Sequence, residues 1–198
     1  MERLTTSDYA QFPGSFSSDG KKVVFVEWHE DAGGDIAVLD VSSGKVTTFA
    51  IDPKFSEAQA DFSPDGQWIA YSADESGRKE VYVRPFPGPG RKYQISNEGG
   101  EEPLWAKNGK QLFYRRKGQG QVWVVDVQTN KGFTTSRPRL LFEKSGYAGY
   151  IPVRCWDISH DGQRFIMVKG DESKPFPATE MVLIQNWLEE LKQRVPGK

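Results

Sequence analysis

Four acidic residues stand where short apolar segments of this 198-residue chain begin. They are Asp61, Glu101, Glu102 and Asp157. Carboxylate oxygens are the ligands that Ca²⁺ prefers in proteins, so acids brought together by the fold would form a cation site. The four residues are therefore candidate ligands for a cation such as Ca²⁺. The alternative is that the acids hydrogen bond to neighbouring backbone or lie in water.

A turn motif recurs beside these acids at intervals of 43 to 53 residues. Its best-formed copy is Phe62–Ser72, FSPDGQWIAYS, in which a Pro-Asp-Gly turn precedes an apolar strand. In every copy the residue four positions before the turn glycine is large and apolar. Glycine suits the left-handed position of a bulged hairpin turn. We therefore assign a structural turn role to Gly20, Asp65, Gly66, Gly109, Asp161 and Gly162.

The strands after these turns are almost continuously apolar, as in the segments 68–71 and 112–114. A strand with one solvated face would alternate polar and apolar residues, so both faces of these strands must be covered. Radially stacked four-stranded antiparallel sheets cover both faces, and about 45 residues is the expected length of one such blade. The sequence predicts an all-β fold, a β-propeller with four readable blades. A β-sandwich accommodates the strands but gives no reason for the repeated turn.

We predict one domain over residues 1–198, with blades at about 15–50, 60–97, 103–143 and 154–185. The last blade lacks an evident outer strand, and a short N-terminal strand at 2–6 is predicted to supply it. A short C-terminal helix is predicted at 187–195, because Asn186 is a suitable N-cap and Pro196 ends the pattern. A closed four-blade ring, an open arc of a larger propeller and an eight-blade ring of two chains all remain open, and exposed blade edges favour a homodimer.

At these residues the chain resembles the TolB-like, WD-like propeller repeats of bacteria. The stretch 85–114 and the end NWLEELKQRVPGK are similar to the C-terminal propellers of bacterial serine/threonine protein kinases and related sensor proteins. We expect a non-catalytic module, without a cofactor, that binds a protein or a small ligand, and the resemblance implies that it belongs to a larger signalling protein. The alternative is a metal-dependent hydrolase or lyase with its site in the propeller channel, because innermost strands line that channel.

Composition and motifs exclude several other functions. A net charge of −1 and a pI near 6.2 argue against nucleic acid as a partner. Cys155 is the only cysteine, so there is no disulfide framework. Ser159-His160-Asp161 has the letters of a hydrolase triad, but adjacent residues at a turn cannot form its relay. No membrane span is predicted; the location is extracytoplasmic or periplasmic if the chain is the tail of a membrane kinase, and cytoplasmic otherwise.

Overall fold

The computed structural model describes residues 3–116, 120–130, 132–147 and 152–169, together with the strand at 180–184. The regular elements of these ranges are all β-strands, arranged in four antiparallel sheets. These sheets are the blades of a β-propeller, as the sequence predicts. Within the described part of the chain, no helix is long and apolar enough to cross a membrane.

Blades 1 and 2 are four-stranded meanders in which each strand pairs with the next along the chain. Blade 1 consists of β1 (Ala10–Phe16), β2 (Lys22–His29), β3 (Gly33–Asp40) and β4 (Val46–Ala50). Blade 2 consists of β5 (Glu57–Phe62), β6 (Trp68–Ala73), β7 (Glu80–Pro85) and β8 (Tyr93–Gln94). The second strand of blade 2 is buried along almost its whole length, whereas the second strand of blade 1 is buried at its centre, Val24–Val26.

Blades 3 and 4 continue the same order. Blade 3 consists of β9 (Glu101–Trp105), β10 (Gln111–Arg116), β11 (Gln121–Gln128), β12 (Thr134–Thr135) and β13 (Arg139–Glu143). Its outer edge is divided, because both β12 and β13 pair with β11. Blade 4 consists of β14 (Trp156–Ile158), β15 (Phe165–Lys169) and β16 (Glu180–Ile184).

All four repeated turns have a left-handed glycine, with φ between 69° and 72°. In blade 2 the Ser63 hydroxyl donates to Asp65 and accepts the Trp68 N–H at 2.9 Å, so the serine links both sides of the turn. The same network recurs at Ser159 and Asp161, where it lowers the pKa of the aspartate through the serine hydrogen bond. The Ser159-His160-Asp161 segment is thus a turn.

Most of the hydrophobic core lies between blades, and a smaller cluster of Phe25, Ala37 and Leu39 belongs to blade 1 alone. One cluster joins blades 1 and 2 around Val24, Ile36 and Phe62, and a second joins blades 2 and 3 around Trp105. A third joins blades 3 and 4 around Phe113 and Phe165, whose rings meet edge to face at 5.4 Å. Each blade therefore depends on its neighbours for burial of its apolar face.

The structure corrects the prediction for the N-terminus. Residues 3–7 form no strand, and Leu4 is 44% exposed. Instead the Thr5 hydroxyl bonds to Gln11, and the first strand, β1, pairs with β2 inside blade 1. One apolar residue is too little to anchor a strand at 2–6, and blade 1 begins at Ala10, not near residue 15. The predicted helix at 187–195 lies outside the described residues.

Candidate functional site

Polar side chains of the innermost strands hydrogen bond to the backbone of the next blade. Five residues before the turn glycine, blade 1 has Ser15 and blade 2 has Asp61. The Ser15 hydroxyl accepts the Phe62 N–H at 2.8 Å, and Asp61 Oδ2 accepts the Trp105 N–H at 2.9 Å. In both cases the donor is the large apolar residue four positions before the next turn glycine. The side chain at this position of the repeat thus hydrogen bonds to the backbone of the next blade.

A second position, seven residues before the turn glycine, makes the same kind of link. Gln59 and Glu102 hold this position in blades 2 and 3, and both have positive φ, 55° and 54°. Gln59 Oε1 accepts the Glu102 N–H at 3.0 Å, and Glu102 Oε2 accepts the Cys155 N–H at 3.0 Å. The left-handed backbone interrupts the strand pairing at these residues, as a β-bulge does. It directs each side chain to the following blade.

Glu102 is a buried carboxylate, 1% exposed, with a basic partner. Arg115 Nη1 lies 3.2 Å and 3.3 Å from its two carboxylate oxygens. Burial raises the pKa of Glu102, and the Arg115 charge and the Cys155 N–H oppose that rise. The Trp156 indole also donates to the Glu102 carbonyl at 3.1 Å. The residue is fully engaged in the interface between blades 3 and 4.

Asp61 is 5% exposed and bonds to two blades at once. Its Oδ1 lies 3.2 Å from Arg154 Nη1, and Arg154 also donates to the carbonyls of Pro103 and Trp156. Arg154 directly precedes β14, the first strand of blade 4. This ion pair therefore links blade 2 to blade 4, across blade 3. Removing either partner would leave a buried charge without its counterion.

The other two predicted ligands have different surroundings. Glu101 is buried at the start of β9, opposite Arg115 in the strand register. Asp157 is exposed, and its Oδ1 accepts the N–H of the adjacent Ile158 at 2.8 Å. Among the described residues no group of three or more His, Cys, Asp or Glu side chains is placed to hold a metal ion. The predicted calcium site stays a prediction.

A further buried acid lies at the interface between blades 1 and 2. Glu57 is 5% exposed, and its Oε2 has no hydrogen-bond partner in the described structure. Burial, followed by the charges of Asp35 and Asp52, raises the pKa of Glu57 to about 7, while Lys79 acts in the opposite direction. Burial also raises the pKa of Asp35, which His29 Nε2 approaches at 3.1 Å.

A cavity of about 340 Å³ lies where blades 1, 2 and 4 approach one another. Its walls include Phe12 and Val26 of blade 1 and Ile166 and Val168 of blade 4. Its strongly polar side chains are Gln59, Arg154 and Asp157. Asp157 is thus the one predicted ligand that borders this cavity, while Asp61 is tied to its wall through Arg154.

Sequence reasoning did not identify Gln59, Arg115 and Arg154 as part of this arrangement. Alignment on the turn glycine would have paired Gln59 with Glu102, two long polar side chains at one repeat position. No local pattern points to Arg154, because its partner Asp61 is 93 residues earlier in the chain.

The fold is similar to that of several solved propeller proteins. TolB from Acinetobacter baumannii matches at 18% identity with a TM-score of 0.64, over 92% of this chain and 43% of that one. An oligogalacturonate lyase in complex with manganese matches at 15% identity with a TM-score of 0.62, over 93% and 53%. A puromycin hydrolase matches at 18% identity with a TM-score of 0.61, over 93% and 28%.

These likenesses define a TolB-like β-propeller fold. The chain spans about half or less of the length of these structures. No family model matches the sequence. Because one fold hosts both non-enzymatic and catalytic proteins, the likeness carries no activity to this chain.

Proposed function

We propose that this chain is a non-catalytic propeller module that binds a protein or a small ligand. The observation that carries the proposal is that two acids of the inner strands have their partners within the fold. Asp61 and Glu102 each pair with a guanidinium, and each accepts a backbone N–H from the next blade. General acid–base chemistry needs a carboxyl group that is free to exchange a proton with substrate. Because Asp61 and Glu102 already have partners within the fold, we favour a binding role over a catalytic one.

We extend the proposal to a sensor or scaffold role within a larger bacterial signalling protein, such as one with a serine/threonine kinase domain. The support is the sequence resemblance of the stretch 85–114 and of the C-terminal residues to propellers in such proteins. The short span of this chain relative to its structural neighbours is compatible with a module of a longer protein.

The competing proposal is a metal-dependent lyase or hydrolase acting in the channel. It is favoured by the fold likeness to an oligogalacturonate lyase solved with manganese. In that case Asp157 would be the ligand to examine first, because it is exposed, whereas Asp61 and Glu102 have arginine partners.

A two-part experiment separates the two proposals. Thermal unfolding of the chain is first recorded with a metabolite library, then with Mn²⁺ and Ca²⁺ alone. We expect at least one metabolite to raise the Tm, since a ligand that binds only the folded state stabilises it. Mass spectrometry should recover that ligand unchanged after prolonged incubation.

Turnover of a bound compound, or Mn²⁺-dependent cleavage of oligogalacturonate, would overturn the binding-module proposal. Metal stabilisation that disappears in Asp157→Asn would also favour the lyase or hydrolase. Leu140→Asn is the matched control, because Leu140 is similarly accessible, on β13, and is not part of the predicted metal site.

A further inference from the structure

The 340 Å³ cavity contains an acceptor that lacks the donor expected from its place in the repeat. Five residues before the turn glycine, Ser15 and Asp61 each accept a backbone N–H from the next blade. Asp157 holds this position in blade 4, but its Oδ1 accepts the N–H of the adjacent Ile158. Within the described ranges the Asp157 side chain has no other hydrogen bond or ion pair. Its carboxylate is therefore open to a donor from a ligand.

Strand geometry directs the Asp157 side chain toward the cavity. Successive residues of a strand point to opposite faces of the sheet. Trp156 and Ile158, on either side of Asp157, are buried in the cluster between blades 3 and 4. Asp157 therefore points to the other face of blade 4, together with its register partner Ile166. Both residues are exposed and both line the cavity, so a ligand in the cavity can contact them.

The apolar walls of the cavity are incompletely covered. Ile166 is 38% exposed, and Phe12, Val153 and Val168 are half-buried. All four residues line the cavity. Apolar surface that stays exposed in a concave site favours a ligand with an apolar body. The volume is at the small end of the range for ligand pockets, about 300–1,000 Å³, which favours a small molecule.

The charges of the lining favour a monovalent cation. Arg154 lies 3.2 Å from Asp61 and donates to two carbonyl groups, so its charge is balanced within the fold. Among the described residues of the lining, Asp157 is the other charged side chain, and it has no such counterion. A divalent metal ion needs several oxygen ligands, and the described part of the chain offers no such group. An ammonium group can be bound by a single carboxylate.

We propose that the cavity between blades 1, 2 and 4 binds a small primary amine with an apolar body. The ammonium group donates a hydrogen bond to the Asp157 carboxylate, and the body packs against Ile166 and Val168 of blade 4 and Phe12 of blade 1. Such a charge-assisted hydrogen bond is stronger than a neutral one, and a partly enclosed site strengthens it further. The inference rests on the proposed binding function and names a ligand class for it.

The test uses three probes that share a phenylethyl group: phenylethylamine, phenylethanol and phenylpropionate. Titrations followed in ¹H–¹⁵N spectra give each dissociation constant, with EDTA present to remove metal ions. We expect phenylethylamine to bind at least about fivefold more tightly than phenylethanol, because only the amine brings a positive charge to Asp157. Phenylpropionate should bind at least about tenfold more weakly than the amine, because its carboxylate is repelled by Asp157.

A charge variant tests the role of Asp157. Asp157→Asn keeps the shape of the side chain and removes its charge. It should weaken phenylethylamine binding about fivefold, to the level of phenylethanol, and leave the affinity for phenylethanol unchanged. The matched control is Asp31→Asn, since Asp31 is also exposed and lies outside the lining. This control should leave the affinities for all three probes unchanged.

A size variant locates the apolar body. Ile166→Trp places a larger side chain in the cavity and should weaken both phenylethylamine and phenylethanol at least about tenfold, because it removes ligand volume. The matched control is Leu140→Trp, since Leu140 is 42% exposed and is not in the lining.

Several results would overturn the cavity assignment. They are unchanged amine affinity in Asp157→Asn or in Ile166→Trp, tighter binding of phenylpropionate than of phenylethylamine, and the absence of saturable shifts with every probe. A ligand from the metabolite library that binds elsewhere would leave the binding function intact while this inference fails. Turnover of that ligand would instead contradict the proposed function.

Discussion

Asp61 and Asp157 occupy the same position of the repeat in blades 2 and 4, yet their surroundings differ. Asp61 is 5% exposed, accepts the N–H of Trp105 in the next blade and pairs with Arg154. Asp157 is exposed and accepts the N–H of its own neighbour, Ile158. The side chain is the same; what differs among the described residues is that Asp61 accepts an N–H from the next blade and Asp157 accepts one from its own strand. Position in the repeat therefore does not determine a residue's role, and the adjoining blade does.

The large apolar residue four positions before the turn glycine shows a similar contrast between blades 3 and 1. Trp105 is 2% exposed because blade 2 covers it, whereas Phe16, at the equivalent place in blade 1, is 64% exposed. Trp105→Ala should lower the free energy of unfolding by about 3–5 kcal/mol, since it leaves a large cavity. Phe16→Ala should change it by about 0.5 kcal/mol or less. Urea unfolding measures both, and equal losses would contradict the contrast between the two blades.

The next largest difference is expected for the two aspartates themselves. Asp61→Ala leaves Arg154 without its carboxylate counterion and the Trp105 N–H without its acceptor, and it should cost about 2–3 kcal/mol. Asp157→Ala removes an exposed carboxylate and should cost less than about 0.5 kcal/mol. Chemical denaturation at neutral pH gives both values. A large loss for Asp157→Ala would mean that this residue has a partner as important as that of Asp61.

The interface between blades 1 and 2 contains a buried acid, Glu57, that makes stability depend on pH, as the raised pKa of Glu102 does between blades 3 and 4. The pKa of Glu57, raised to about 7, lies above the ordinary value of 4.5. The folded state thus favours the protonated form, and stability falls as pH rises from about 4.5 to about 7, by on the order of 2 kcal/mol. Glu57→Gln should remove this fall, so that the variant exceeds the wild type above pH 7 and matches it near pH 4.5.

Thermal unfolding across that pH range tests the Glu57 assignment. Asp157→Asn is the control, because it removes an exposed carboxylate and should leave the decline in place. The same decline in Glu57→Gln as in the wild type would assign the effect to another group.

The smallest expected loss of stability, from replacing a turn glycine, should be the same in blades 2 and 4. Gly66 and Gly162 have φ of 70° and 72° in the turns of blades 2 and 4. Replacing either by alanine forces a Cβ into the left-handed region, at a cost of about 1 kcal/mol. Equal losses in denaturation experiments would show that the blades differ in their interfaces and not in their turns. A difference of more than about 1 kcal/mol would contradict this separation.

Sequence predicts the parts of this molecule that depend on neighbouring residues. The glycine of each turn and the continuous apolar strand after it are local, so the blades follow from them. The partners of the acids are not local: Asp61 meets Arg154, and Glu102 meets the Cys155 N–H. A repeat pattern specifies that blades stack, but not which side chain bridges them. The predicted strand at 2–6 did not form because a segment with Leu4 as its single apolar residue buries too little surface.

The hydrogen bonds between inner strands of neighbouring blades also determine where local unfolding begins. Each link joins a blade to its successor, apart from the Asp61–Arg154 pair, so stability is shared mainly between nearest neighbours. Amide hydrogen exchange should then be slowest in blades 2 and 3, which have a partner on each side, and faster in blade 4. Local unfolding would begin at the terminal blade and proceed inward one blade at a time.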